Sequence, residues 1–193
     1  MCVIKTHLAK TIIMTKKLIP LLFIISILFA GCKGDEGAPG ADGVNVVGTT
    51  IEVEKVNFNA ANKFTYTLKF TDVTKVKVFD SDAVLVYVLW DAIDSNTPIW
   101  RLMPQPILDV RGVQYKFDYS PVDFSVFLEA EDAAFNLGSL SNRYTQNQTF
   151  RVVIIPSDFP STRQGSKLDY TDYEAVKAQF NLDESKVIKY TAN

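Results

Sequence analysis

The sequence predicts a mainly β protein built as an antiparallel β-sandwich with one short C-terminal helix. Two observations carry this prediction. Short segments throughout residues 44–193 alternate apolar and polar side chains, with the two-residue period of half-buried strands. Clusters of Asp, Asn, Ser and Pro separate these segments, and such clusters form the turns between strands. Hydrophobic residues make up 47% of the 193-residue chain, which is enough for a packed core.

Strands are predicted in order along the chain from this alternation. The first, TIEVEKV, alternates through Ile51 and Val53 and then slips before Val56. The third, AVLVYVLW, is apolar throughout, which predicts a central strand covered on both faces. The predicted strands span residues 50–56, 64–70, 83–90, 99–103, 113–119, 122–130, 149–156 and 185–190.

The helix is predicted in TDYEAVKAQF, residues 171–180. Thr171 and Glu174 have the spacing of a capping box. In this motif the threonine hydroxyl accepts from the backbone amide of the glutamate, and the glutamate carboxylate accepts from the backbone amide of the threonine. Apolar residues then recur at helical spacing. A polar loop precedes this helix in residues 157–169.

Strand spacing does not distinguish a sandwich from a closed barrel. In architecture the pattern is similar to that of immunoglobulin-like modules, which pack two sheets of short strands. We therefore expect a sandwich of this kind, with a β-barrel as the alternative.

Charge and residue usage exclude several function classes. Four of the 20 basic residues precede residue 32, whereas all 22 acidic residues follow it, so the later part carries a net charge of about −6. An acidic chain of this kind is a poor candidate for nucleic-acid binding. Cys2, Cys32 and the single His7 are all N-terminal. We expect no catalytic triad and no zinc site, because a triad needs an imidazole and zinc sites are usually built from Cys and His. We expect no cofactor either.

The N-terminal segment predicts export. Residues 18–30, LIPLLFIISILFA, are uncharged and follow Lys16 and Lys17. This run is shorter than the roughly twenty residues of a bilayer-spanning helix but has the length of a signal-peptide core. Met14 opens a compact signal by itself, which makes it a candidate for the true start.

The residues LFAGC at the end of this run resemble the lipobox of bacterial lipoproteins, with Phe29 where leucine is usual. The resemblance implies that residues 1–31 are a signal peptide cleaved between Gly31 and Cys32. It also implies that Cys32 carries the lipid that attaches the chain to a membrane. An uncleaved anchor with an incidental cysteine is the alternative.

Residues 32–43 predict a tether. Glycine recurs at every third position from residue 34 to residue 43, as in collagen, but three triplets are too few for a triple helix. Similar Gly-X-Y runs follow the lipidated cysteine in a group of bacterial surface lipoproteins. Lys33, Asp35 and Glu36 resemble the acidic signal that directs some lipoproteins to the outer face of the outer membrane. A periplasm-facing protein with a merely solvated tether is the alternative.

The single predicted domain, residues 44–193, contains two tryptophans and two sets of acidic residues that are candidates for ligand binding. Trp100 lies among turn residues and is a candidate for stacking on a ligand, whereas Trp90 ends the most apolar strand and is expected in the core. Two sets of acidic residues are expected to be solvated. The first set flanks the third strand, has a calcium site as its alternative, and comprises Asp80, Asp82, Asp91 and Asp94. The second set has a glycosidase pair as its alternative and comprises Glu129, Glu131 and Asp132.

These observations predict a lipid-anchored protein of the outer membrane, displayed at the cell surface, that binds a glycan or a protein partner without catalysis. A small carboxylate-dependent glycan hydrolase and a structural envelope spacer are the alternatives.

Overall fold

The computed structural model describes residues 48–94, 97–157 and 168–192, all within one compact unit, Val44–Asn193. The predicted signal peptide, its predicted cleavage between Gly31 and Cys32, the predicted lipidation of Cys32 and the predicted tether with Lys33, Asp35 and Glu36 all fall outside the described residues. Most of the polar loop 157–169 also lies outside them.

The described residues form nine strands in two sheets. One sheet has five strands in the order β4-β3-β8-β1-β9, and the other has four in the order β2-β7-β6-β5. The strands are β1 Thr49–Val56, β2 Thr65–Lys69, β3 Ala83–Ala92, β4 Pro98–Leu102, β5 Gln105–Pro106, β6 Val113–Tyr119, β7 Asp123–Ala130, β8 Gln148–Ile155 and β9 Ile188–Thr191.

The fold is mainly β and is consistent with the predicted sandwich. In the ranges described, no strand of one sheet pairs with a strand of the other, so the barrel alternative is wrong. One pairing departs from the antiparallel pattern. Because β9 begins at the end of the sheet where β8 finishes, it runs parallel to β1, with Ile51 opposite Ile188.

The alternation predicted from sequence places one face of each strand in a core between the sheets. Ile51, Val86, Val126 and Val152 are fully buried there. The predicted slip before Val56 is a bulge in β1, where the pairing with β8 shifts register between Val53 and Val56. Burying these aliphatic side chains supplies about 1.5–3 kcal/mol each.

A second, smaller core lies on the other face of the five-stranded sheet. Tyr87 of β3 and Val153 of β8 pack there against Tyr173 and Val176 of the C-terminal helix. The predicted coverage of the apolar strand on both faces is therefore confirmed.

The C-terminal helix, α2, spans Tyr173–Gln179 and follows a four-residue helix, α1, at Asn142–Thr145. The predicted capping box is wrong. Asp172 is the N-cap, and its carboxylate accepts from the Ala175 amide at 3.1 Å. The Thr171 hydroxyl instead donates to Asp169 at 2.7 Å. The helix begins one residue later than expected because aspartate caps as well as threonine does.

Two further details differ from expectation. The segment predicted as a last strand, residues 185–190, begins in a 3-10 turn at Glu184–Lys186, where the Asp183 carboxylate accepts from the Ser185 amide. The two-residue strand β5 and helix α1 were not predicted, because neither is long enough to show a period.

The register defines two ends of the sandwich. The chain enters β1 beside the end of β8 and the start of β3, where Thr49 pairs with Ile154 and Ala83 with Ile155. We call this the entry end. At the far end, β1 finishes at Val56 opposite the start of β8.

Candidate functional site

A pocket of about 230 Å³ opens at the far end of the sandwich. Both sheets and the α1–β8 connection contribute to it. Its walls are Leu89, Trp90, Tyr115, Arg143, Tyr144, Gln146, Asn147, Gln148 and Thr149. Its size is below the roughly 300–1,000 Å³ of pockets for drug-sized ligands, so it suits one small ring.

Two aromatic rings form the apolar part of the pocket. Trp90 comes from the end of β3 and Tyr144 from α1, and their ring centroids are 6.2 Å apart. The Arg101 guanidinium lies 4.3 Å from the centroid of the Trp90 ring, a cation–π contact that fixes this side chain. Trp90 also packs against the inner core, as its strand position predicted.

Hydrogen bonds hold the pocket's loop in one conformation. The Gln148 side-chain amide donates to the Arg143 and Gln146 carbonyls at 2.9 and 2.6 Å. The Tyr115 hydroxyl donates to the Tyr144 carbonyl at 2.6 Å. Asn147 adopts a φ of 55°, which asparagine tolerates better than most residues, and its amide donates to Asn57 at 2.8 Å. The pocket is therefore preformed.

Both pocket tyrosines are neutral at physiological pH. Burial raises the pKa of Tyr115 well above its usual range. The Tyr144 hydroxyl donates to the Asp109 carboxylate, and this hydrogen bond raises the pKa of Tyr144. The tyrosines thus serve as fixed, uncharged walls. Among the described residues that form the pocket's walls, Arg143 is the one that carries a charge.

Trp100 lies on the other face of the five-stranded sheet, away from this pocket. It is partly buried against the second core, and its ring centroid is 6.2 Å from that of Tyr173. The Arg151 guanidinium lies 4.4 Å from the Trp100 ring centroid. The indole Nε1 is buried without a hydrogen-bond partner among the described residues. The predicted stacking residue is therefore largely engaged inside the fold.

The aspartates predicted around the third strand lie at its two ends, so they are not brought together. The expectation of a solvated side chain is wrong for Asp82, which is buried because its carboxylate accepts from the Phe79 and Ser157 amides at 2.9 and 3.1 Å. Asp91 accepts from the Ala92 amide. In the part of the chain that the structure describes, no group of three or more His, Cys, Asp or Glu could hold a metal ion.

The other three carboxylates lie at the end of β7 and in the turn that follows it. Glu129 forms an ion pair with Lys116 at 2.8 Å. Asp132 accepts from the Ala134 amide in the turn after β7. Glu131 lies beside Gly112, on the neighbouring turn.

A buried ionic cluster on the outer face of the five-stranded sheet is the second candidate site. Arg151 donates to Glu52 at 2.8 Å and to both Glu184 and the Tyr173 hydroxyl at 2.9 Å. Lys189 lies 3.2 Å from Glu52. Because these groups satisfy one another, the cluster joins α2 and the following turn to the sheet rather than leaving a group for a ligand.

The sequence did not indicate Arg143, Tyr144 or the side-chain amides that follow them as candidate site residues. They belong to a polar stretch without periodicity or motif, and only the fold brings them to Trp90. The aromatic residue in NRYTQNQT was the one available signal.

None of the helices in the described ranges is both long and apolar enough to cross a bilayer. Compared with protein-family models, with curated proteins and with solved structures, the chain matches none.

Proposed function

We propose that this protein is a lipid-anchored component of the bacterial outer membrane whose β-sandwich is a non-enzymatic binding module. The observation that carries the proposal is the preformed pocket between Trp90 and Tyr144. Concave sites with aromatic walls and a few fixed polar groups are the usual places where small ligands bind. A glycan is the ligand class that this combination favours.

The position of the pocket agrees with display at a surface. The chain that follows Cys32 enters the sandwich at Gly48 and Thr49, at the entry end. The pocket opens at the far end, where β1 finishes. A membrane attached through Cys32 would therefore be joined to the end of the sandwich that does not carry the pocket.

The walls of the pocket favour binding over hydrolysis. Glycosidases use two carboxyl groups that flank the scissile bond. Aromatic and amide side chains line this pocket together with Leu89, Arg143 and Thr149, and no Asp or Glu is among its walls in the described part of the chain. Glu129, the residue that a hydrolase would most readily use, is on β7 and pairs with Lys116.

Intact-mass analysis of the membrane-extracted protein tests the anchor. We expect a chain that begins at Cys32 and carries acyl mass, and Cys32→Ser should abolish both the added mass and membrane retention. Acyl-free Cys32 in the membrane fraction would contradict the anchor.

Protease treatment of intact cells tests the location: cleavage only after the outer membrane is permeabilised would show a periplasm-facing protein.

A glycan screen with the extracted, full-length protein tests the binding module. We expect saturable binding that falls at least tenfold in Tyr144→Ala and is unchanged in Leu108→Ala, an exposed far-end control. Retained folding is checked by circular dichroism. The absence of any ligand would favour the structural spacer, whereas turnover that is lost in Glu129→Gln would establish the hydrolase.

A further inference from the structure

Two guanidinium groups lie at the pocket, where the Asp109 carboxylate also accepts a hydrogen bond from Tyr144. The chain after residue 31 is acidic, yet Arg143 lines the pocket and Arg101 lies over Trp90. Neither guanidinium forms an ion pair with a carboxylate of the described residues. Arg143 is exposed, and its guanidinium carbon lies 5.6 Å from the Tyr144 ring centroid. An unpaired guanidinium beside a preformed pocket is suited to a carboxylate ligand, which it can bind through two parallel hydrogen bonds.

Uncharged polar groups surround this guanidinium. Asn147 is exposed, and the hydrogen bonds found in the described residues use its backbone amide but not its side chain. The Gln146 side chain makes one long bond, 3.4 Å, to the Phe58 carbonyl. Such amides can both donate to and accept from hydroxyl groups. The pocket thus combines one anion-binding group with partners for hydroxyls and an aromatic wall.

We propose that the pocket binds a sugar residue that carries a carboxylate, such as a uronic acid within an acidic polysaccharide. This proposal rests on the proposed binding function and names its ligand class. Arg143 binds the carboxylate, Asn147 and Gln146 bind ring hydroxyls, and the apolar side of the sugar lies against the exposed part of Trp90. The volume of about 230 Å³ limits the pocket to a single ring.

Tryptophan fluorescence can report on this pocket directly. The chain has two tryptophans, so Trp100→Phe leaves Trp90 as the single tryptophan. The test uses this variant of the full-length, detergent-extracted protein, with trigalacturonic acid as the probe. Its methyl ester is the matched neutral ligand, because esterification removes the charge and keeps the ring and its hydroxyls. A short glutamate peptide presents carboxylates without a sugar.

We expect trigalacturonic acid to change the Trp90 emission saturably, with an affinity at least tenfold higher than that of the methyl ester. Raising the salt concentration should weaken this binding, because the Arg143–carboxylate contact is exposed. Arg143→Gln should reduce the affinity at least tenfold, and Arg143→Lys should reduce it less. Arg111→Gln is the matched control, because Arg111 is exposed and lines a different cavity at the same end. It should leave the affinity unchanged.

The outcomes separate this inference from the function on which it rests. Equal binding of the acid and its ester would overturn the acidic ligand class while leaving the binding module intact. Binding of the glutamate peptide with the same affinity would overturn sugar recognition. Unchanged affinity in folded Arg143→Gln would overturn the assignment of the site. If no glycan binds to the unmodified protein at all, both proposals fail.

Discussion

Replacing Arg151 with methionine should strongly destabilise the fold, because it leaves a buried carboxylate without its main partner. Glu52 is 6% exposed and Arg151 8% exposed. Removing one member of a buried ion pair typically costs about 3–5 kcal/mol. For a domain of this size, that cost corresponds to a fall in Tm of roughly 6–20 °C.

Lys189→Met is the matched control for this substitution. Its ammonium group also lies 3.2 Å from Glu52, but the side chain is 66% exposed. Exposed ion pairs contribute about 0–1 kcal/mol, so the control should change the unfolding midpoint little. The double substitution Glu52→Leu with Arg151→Met should cost less than the sum of the two single changes, since no buried charge remains.

Urea unfolding of each variant measures these differences.

The cost of Arg151→Met should also depend on pH. Burial raises the pKa of Glu52, but the hydrogen bonds and charges of Arg151 and Lys189 outweigh it and hold that pKa below its usual value. The pair therefore stabilises the fold above pH ~4.3, the ordinary glutamate value, and this contribution is lost as the pH falls through the lowered folded-state pKa. A cost below about 1 kcal/mol at pH 7, or strict additivity in the double variant, would refute the reasoning.

Two further predictions concern the helix cap and a buried tyrosine. Asp172→Ala should cost about 0.5–2 kcal/mol in urea unfolding, whereas Thr171→Ala should cost clearly less; the reverse order would place the cap at Thr171. Burial and the neighbouring Tyr190 raise the pKa of Tyr66 to about 12. Because this folded-state pKa lies above the ordinary value of ~10, we expect stability to be lost as the pH rises from about 10 to 12. Tyr66→Phe should lose less stability over that range, and an identical loss would show that Tyr66 does not contribute.

Much of the fold could be predicted because strand patterns are local. The segment 113–119 is a strand with its predicted bounds, and 83–90 lies within the longer β3. Alternation with a period of two identifies the buried face wherever one face meets a core. The predicted start of α2 was wrong by one residue, since both Thr171 and Asp172 are suitable N-caps and only packing selects between them.

The candidate site could not be predicted, because its residues come from separate elements. Trp90, Tyr115 and Tyr144 lie on β3, β6 and α1. The sequence makes Trp100 a candidate for stacking on a ligand, because turn residues flank it. It is instead packed beneath α2, a helix much later in the chain, and no local pattern records that contact.

By itself, the sequence determined the two-residue alternation, the apolar central strand and the acidic charge after residue 31, because each depends only on neighbouring residues or on composition. It also carries the prediction of a lipid anchor at Cys32, which depends on a short local motif. The tertiary structure decided which distant side chains meet. It brought Arg151 to Glu52 across 99 positions of sequence, and it placed Arg143 beside Trp90 at the far end. Such pairings depend on how the two sheets and α2 pack together, and packing is a property of the whole chain.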